Sequence, residues 1–322
     1  MATVKRRAMA SFLVTGGGGF IGSNLCHSLL ERGDRVRALD DFATGRRENL
    51  ADLDGHERFQ LLVGDVRDAA TVARALEGVD YVLHEAAIPS VPRSVDDPIG
   101  TDHVNVHGTV TLLKGAVAAK VKRFVFAASS AAYGEKAPDE AKVETMTPDP
   151  LTPYAAQKLA CEYYLRVFHT CYGLPTVALR YFNVFGPRQD PKSQYAAVIP
   201  NFVTAALAGK AATIFGDGGT SRDFCYIDNV VEANLKACEA KDVAGEMFNI
   251  ACGTSTTLLQ AVDAIAKETG TRIAPIHAPP RTGDIRHSLA NIDKAKTRLG
   301  YTGAVSFAEG IARTVAWYRK RA

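Results

Sequence analysis

Three side chains in this sequence are suited to moving a proton beside a redox centre: Ser129, at the end of an apolar run, and the pair Tyr154 and Lys158. Thr152-Pro153 precedes the tyrosine as a helix start, the Thr152 hydroxyl as N-cap and Pro153 at the first helical position. The four-residue spacing then sets phenol and ammonium one turn apart on one helix face. A tyrosine ordinarily titrates near ~10, so acting as a base at neutral pH requires a downward shift of about three units, about 4 kcal/mol. One cation at about 4 Å supplies roughly that much at an effective dielectric of ~20, so Lys158 is expected to lower the Tyr154 pKa. Alone, the pair also fits one core tyrosine and one solvated lysine. The surrounding elements decide between these.

Residues 11–15 form a short apolar run that meets Gly16, Gly19 and Gly22, and helical periodicity follows over residues 23–32. Strand, glycine turn and helix make the setting of a dinucleotide fingerprint, here spaced G-x-x-G-x-x-G. Gly16 permits the tight turn, Gly19 lets the backbone approach a pyrophosphate at the helix N-terminus, and Gly22 permits close helix-to-strand packing. The next strand, residues 35–39, ends at Asp40, an acid placed to bind the adenosine ribose. Its charge would repel a 2′-phosphate, favouring NAD over NADP; Arg46 and Arg47 read as a solvated pair. Further apolar runs stop at Gly64-Asp65-Val66 and at His84-Glu85-Ala86-Ala87, with His84 read as a strand-end plug. A helical pattern over 101–120 contains Asn105, and a strand over 123–128 delivers Ser129. This alternation predicts an α/β domain, a doubly wound parallel Rossmann sheet. Regularity fails after Arg180, where a smaller α/β substrate-binding domain is expected. A helix over 227–239 and a strand over 247–251 should rejoin the first domain. That gives 1–180 plus about 225–252 for the cofactor, and 181–224 plus about 253–322 for the substrate. Residues 258–269 and 305–319 read as amphipathic cover helices.

Composition narrows the function classes. The chain is 47% hydrophobic and 23% charged, with 38 Lys and Arg against 35 Asp and Glu, scattered rather than striped, so a nucleic-acid partner is not expected. No apolar run approaches the ~20 residues of a membrane span, and the basic start lacks a signal-peptide core. The six cysteines form no C-x-x-C pair and no cluster has metal-ligand spacing, so reduced thiols, no metal and a cytoplasmic setting are expected.

Residues 15–22, Asp40, Gly64-Asp65, Ser129, Tyr154, Lys158 and the stretch 181–187 together resemble the extended short-chain dehydrogenase/reductases that act on nucleotide sugars. Residues 91–94, 188–191, 195–200, 221–228 and 281–288 resemble, more narrowly, bacterial UDP-N-acetylglucosamine 4-epimerases. The resemblance implies bound NAD, a UDP-hexose or UDP-N-acetylhexosamine substrate and a homodimer joined by the helices at 101–120 and 154–171. It makes Tyr154 the base, puts Lys158 on the nicotinamide ribose and Ser129 at the sugar hydroxyl. It adds Phe20, Ile21, Asp65, Val66, Ala86, Ala87 and Tyr181 to the cofactor contacts. It gives the substrate Ser130, Asn183, Gln189, Ala197, Val198 and Phe215, with Arg222 and Arg281 on the diphosphate, Asp284 on the uridine ribose and Ser288 beside the sugar's C2 substituent. Phe215 could equally be core.

Related 4,6-dehydratases carry acids just after the strand that ends at Ser129, and the decarboxylases carry a Glu where Ala131 stands. Residues 129–134 hold no carboxyl, which leaves oxidation and reduction at one carbon. Small residues at Ser288 and Ala197 should admit UDP-GlcNAc and UDP-GalNAc. Pro89 and Ala131 replace the Gly and Ser of N-acetyl-preferring relatives. The rival readings are a UDP-glucose or UDP-glucuronate 4-epimerase, and a non-catalytic dinucleotide-binding sensor.

Overall fold

The computed structural model describes residues 8–135, 140–191, 198–271, 274–279 and 286–321. Seven strands form one wholly parallel sheet: β1 (Ser11–Thr15), β2 (Arg35–Asp40), β3 (Phe59–Val63), β4 (Tyr81–His84), β5 (Arg123–Ser129), β6 (Thr176–Tyr181) and, after the short strands described below, β11 (Glu246–Ile250). Their order is β11-β6-β5-β4-β1-β2-β3. The chain winds outward from β1 to β3, returns, and winds the other way from β4, which opens a crevice at the β1/β4 boundary. Thr15 lies opposite both Leu39 and His84, and Ser129 opposite Tyr181. This register brings Gly16, Asp40, Glu85, Ser129 and Tyr181 to one carboxyl edge.

Alternation along each strand feeds two cores. Phe12, Val14, Leu83 and Val125 face one, with Leu25 and Leu29 of α1 (Phe20–Glu31). Leu13, Val82, Phe124 and Phe126 face the other, with Val72 of α2 (Ala69–Leu76), Leu112 of α5 (Gly108–Ala118) and Leu165 of α6 (Pro153–Tyr172). Both faces of the sheet are thus covered, as a parallel sheet requires. Two short helices, α3 (Val91–Asp96) and α4 (Pro98–Asp102), lead into α5.

The helix expected over 101–120 is a composite. Between α4 and α5 the turn widens to π geometry over His103–His107. Asn105, buried there, exchanges hydrogen bonds with the Ile88 backbone and Gln157, while its carbonyl accepts the Thr109 hydroxyl (2.5 Å) and the Cys161 thiol (3.2 Å). Side chains thus take up a carbonyl in the wide turn.

Beyond β6 the strands are short: β7 (Val184–Phe185), β8 (Thr213–Phe215), β9 (Ser221–Arg222), β10 (Cys225–Tyr226), and, after β11, β12 (Thr256–Thr257), β13 (Ile276–Ala278) and β14 (His287–Ser288). They pair in three small sheets. The helices of this part are α7 (Val198–Leu207), α8 (Ile227–Glu239), α9 (Leu258–Thr269) and α10 (Phe307–Arg319). α10 begins at Phe307, two residues later than expected, because Ser306 caps it by accepting the Glu309 N–H. The buried Asp223 carboxylate accepts backbone N–H groups of Cys252 (2.9 Å), Gly253 (3.0 Å) and Ala290 (3.2 Å) and so ties β9 to two later loops.

Candidate active site

The glycine turn is built as its spacing predicts. Gly16 has φ +68°, and a Cβ there would stand 2.7 Å from the Ala86 nitrogen; at Gly22 a Cβ would come within 2.1 Å of the Gly16 carbonyl oxygen. Gly19 differs. Its φ is −75°, and an added Cβ would meet only the Gly16 oxygen, at 3.1 Å. The fold itself therefore demands little of Gly19, whereas a group lying against the turn would demand its small size. Gly19 begins α1 with no side-chain cap, so the first-turn N–H groups remain for an anion. The turn lines a cleft of about 980 Å³ that runs past Asp40, Asp65, Val66, Ala86 and Ala87 to Ser129 and Tyr154. Asp40, at the end of β2, accepts the N–H groups of Gly18 (2.8 Å) and Phe42 (2.7 Å), and burial holds its pKa above the ordinary range. These features fit an extended dinucleotide with its pyrophosphate on α1.

Arg46 and Arg47 are exposed but not simply solvated: Arg46 pairs with Asp190 at 2.6 Å, and the Arg47 guanidinium lies 4.4 Å from the Phe42 ring centroid. Asp65 is held by Arg67, and this bond lowers its pKa.

At the inner end, a second cavity of about 170 Å³ is shared by Ser129, Tyr154, Lys158, Glu85 and Tyr181. Thr152 caps α6 by accepting the Ala155 N–H at 3.3 Å, with Pro153 in the first turn, as expected. The free Tyr154 N–H donates to the Ser94 hydroxyl at 3.0 Å, which fixes α6 against α3. The Tyr154 side chain shares this cavity with Ser129, whose hydroxyl favours the phenolate. Burial opposes the downward shift expected from the spacing. Tyr154 is pushed up to about 12, chiefly by burial and further by the Glu85 carboxylate, with the Ser129 bond opposing. Lys158 donates from Nζ to the Ala127 carbonyl at 2.7 Å and lies 4.7 Å from the Phe126 ring centroid. Burial lowers its own pKa. His84 is the strand plug expected, buried between the hydroxyls of Thr15 (2.7 Å) and Thr109 (2.9 Å).

The sequence matches the NAD dependent epimerase/dehydratase family over residues 12–251. It is 39% identical to a UDP-glucose 4-epimerase of Mycolicibacterium smegmatis over 96% of this chain and 98% of that one. The fold superposes on the UDP-N-acetylglucosamine 4-epimerase of Methanobrevibacter ruminantium M1, solved with UDP-N-acetylmuramic acid, with TM-score 0.92 and 38% identity over 98% of this chain and 100% of that one. A UDP-glucuronic acid 4-epimerase of Bacillus cereus, solved with UDP-glucuronic acid and NAD, gives TM-score 0.89 and 33% identity over 97% and 100%. The chain belongs to the NAD-dependent epimerase/dehydratase family.

Within that family it is an NAD-dependent nucleotide-sugar 4-epimerase, an isomerase. The epimerase's cleft is lined by Gly16, Gly19, Phe20, Ile21, Gly22, Asp40, Asp65, Val66, Ala86, Ala87 and Tyr181, expected at the cofactor, and by Ser129, Ser130, Tyr154, Asn183 and Gln189, expected at the substrate. Lys158 lines the small cavity. Arg222 and Ser288 are register partners on β9 and β14, while Phe215 lies on β8 and Val198 starts α7; none of these four lines either cavity. Ala197, Arg281 and Asp284 lie outside the described residues. Several lining residues were not expected at the site, Arg188 and Glu85 among them. Arg188, at φ +68°, donates to Asn24 Oδ1 at 2.9 Å beside α1, and its place in the 188–191 match was the available signal. Glu85 lines both cavities, and nothing in its spacing marked it.

Proposed function

We propose that this epimerase interconverts UDP-GlcNAc and UDP-GalNAc, with UDP-glucose and UDP-galactose as smaller substrates of the same site, through a 4-keto sugar. The observation that carries this reading is one small cavity lined together by Ser129, Tyr154 and Lys158, beside a turn, residues 129–134, that holds no carboxyl for elimination. Bound NAD supplies reversible hydride acceptance. Tyr154, as phenolate, takes the C4 hydroxyl proton; Ser129 hydrogen-bonds the same oxygen and relays the proton; Lys158 favours the phenolate through its charge. The sugar then turns about its bonds to the diphosphate, so that hydride would come back to C4 on its other face while the same groups return the proton to the C4 oxygen.

In this reading, residues 1–180 with about 225–252 hold NAD, and 181–224 with about 253–322 hold the UDP-sugar. By resemblance to its relatives, Ser288 would stand beside the sugar's C2 substituent, where its small side chain would leave room for an N-acetyl group. The chain would act as a homodimer through the face that α3, α4 and α6 form, where Val95, Ile99, Tyr163 and Val167 are exposed.

Incubation of the purified protein with UDP-GlcNAc and no added NAD, followed by proton NMR, should show the GalNAc anomeric signal growing to a constant ratio. Parallel incubations with UDP-glucose and UDP-glucuronate separate the rival substrates. Turnover of UDP-glucuronate alone would overturn the N-acetyl assignment, and no turnover of any UDP-sugar would favour the sensor reading. Ser288→Tyr should suppress turnover of the N-acetylated pair while sparing UDP-glucose; equal loss of both would remove the gate.

A further inference from the structure

Glu85 stands one residue past β4, where the two cavities meet. Its Oε1 accepts the Tyr181 hydroxyl at 2.9 Å, and the Tyr181 oxygen accepts Nδ2 of the buried Asn234, on α8, at 2.7 Å. A chain of two hydrogen bonds thus holds the carboxyl from behind. In front of it α6 presents Tyr154 and Lys158, and β5 presents Ser129. Its neighbour His84 turns away to Thr15 and Thr109.

The other acids near Lys158 are engaged or neutral. Glu162 makes a two-pronged pair with the buried Arg180, at 2.8 and 2.7 Å. The Cys161 thiol is pushed up to about 11 by burial and carries no charge at neutral pH. That leaves Glu85 as the carboxyl that shares one cavity with both members of the Tyr–Lys pair.

We propose that Glu85 is a positioning residue of this epimerase, which keeps the buried Lys158 ammonium charged and restrains the ionisation of Tyr154, so that three groups rather than two set the working pH range. The inference rests on the assignment of Tyr154 and Lys158 above. A negative charge beside them favours the ammonium and disfavours the phenolate. Burial raises Glu85 itself to about 7, against the Tyr181 bond and the Lys158 charge, so its own charge changes around neutral pH.

Glu85→Gln keeps the size and the acceptor for Tyr181 but removes the charge. In the purified holoenzyme, the ultraviolet difference titration of tyrosinate, taken against Tyr154→Phe in each background, should place the Tyr154 midpoint about one pH unit lower in Glu85→Gln than in wild type. Both limbs of the kcat/KM profile should move towards acid by a similar amount, about tenfold in proton concentration. Glu85→Asp, which retains the charge, should keep both limbs near their wild-type positions even if turnover falls. An unmoved Tyr154 midpoint would overturn the proposal, as would a uniform loss of activity with unmoved limbs, or a Glu85→Asp variant that behaves like the Gln variant. The titration needs no turnover, so failure of the UDP-sugar assignment would leave the role of Glu85 to be decided by the spectrum.

Discussion

Tyr154→Phe keeps the buried ring and deletes one oxygen, whose described partner is Ser129. Turnover should fall by roughly 10²–10⁴, the range that general acid–base groups contribute, while the thermal midpoint moves little. Steady-state rates and a melting curve on the same preparation check both; a near-normal kcat would remove the phenol from the reaction. The spacing of Tyr154 and Lys158 was legible because helical periodicity is local. The direction of the phenol's shift was not, because it depends on where the ammonium ends, at the Ala127 carbonyl, and on Glu85, brought close by sheet register. His84 offers a second residue-scale test. Burial pushes its imidazole down to about 3, with the Lys158 charge adding to the effect, whereas the unfolded chain takes up that proton below about 6.5. Its neutral form therefore contributes stability fully present above pH 6.5 and lost as pH falls towards 3. His84→Gln should show a shallower loss of melting temperature across that window, and an unchanged slope would show that His84 is not what the acid acts on.

At the scale of elements, the turn between β1 and α1 separates glycines that the fold needs from one, Gly19, whose small size the fold itself does not require. Gly22→Ala would drive a Cβ to 2.1 Å from the backbone oxygen of Gly16, so turn and helix must part, at a cost on the order of 1–3 kcal/mol. Gly19→Ala meets that oxygen at 3.1 Å with an ordinary φ and should change stability by less than about 1 kcal/mol. The NAD content of the purified proteins, read after acid extraction, should nevertheless drop in both. A Gly19→Ala protein that retains full NAD would mean the turn is not the pyrophosphate cradle. Strand, turn and helix were legible here because three short elements follow one another with clear punctuation. The composite helix was not: its apolar pattern runs on through the π turn, and the cause, Asn105 reaching Ile88 and Gln157, is a set of contacts from two other segments.

Across the whole molecule, legibility fell with contact range. The first half alternates regularly and was readable as a doubly wound sheet. In the second half, strands as short as β9 and β14 carry no periodicity of their own, and a buried carboxylate at Asp223 organises loops some thirty and more residues away. Burial pushes that carboxyl up to about 6, yet its backbone donors pull the other way. The amphipathic face of α6 was legible in sequence, but what covers its outer side is a property of assembly. Ile99 is 72% exposed and Tyr163 56%, and Val95 and Val167 lie open beside them on packed helices. A patch of this kind suits a second copy of the same face, which would bury it by twofold symmetry. Light scattering on the eluting protein should give twice the 34.5 kDa of one chain. Ile99→Arg with Val167→Asp places charges on the exposed face without touching either core, so the variant should elute at the mass of a single chain with its fold retained by circular dichroism. A double variant that still runs at twice the chain mass would locate the contact elsewhere, and a wild type that runs as a single chain would remove it.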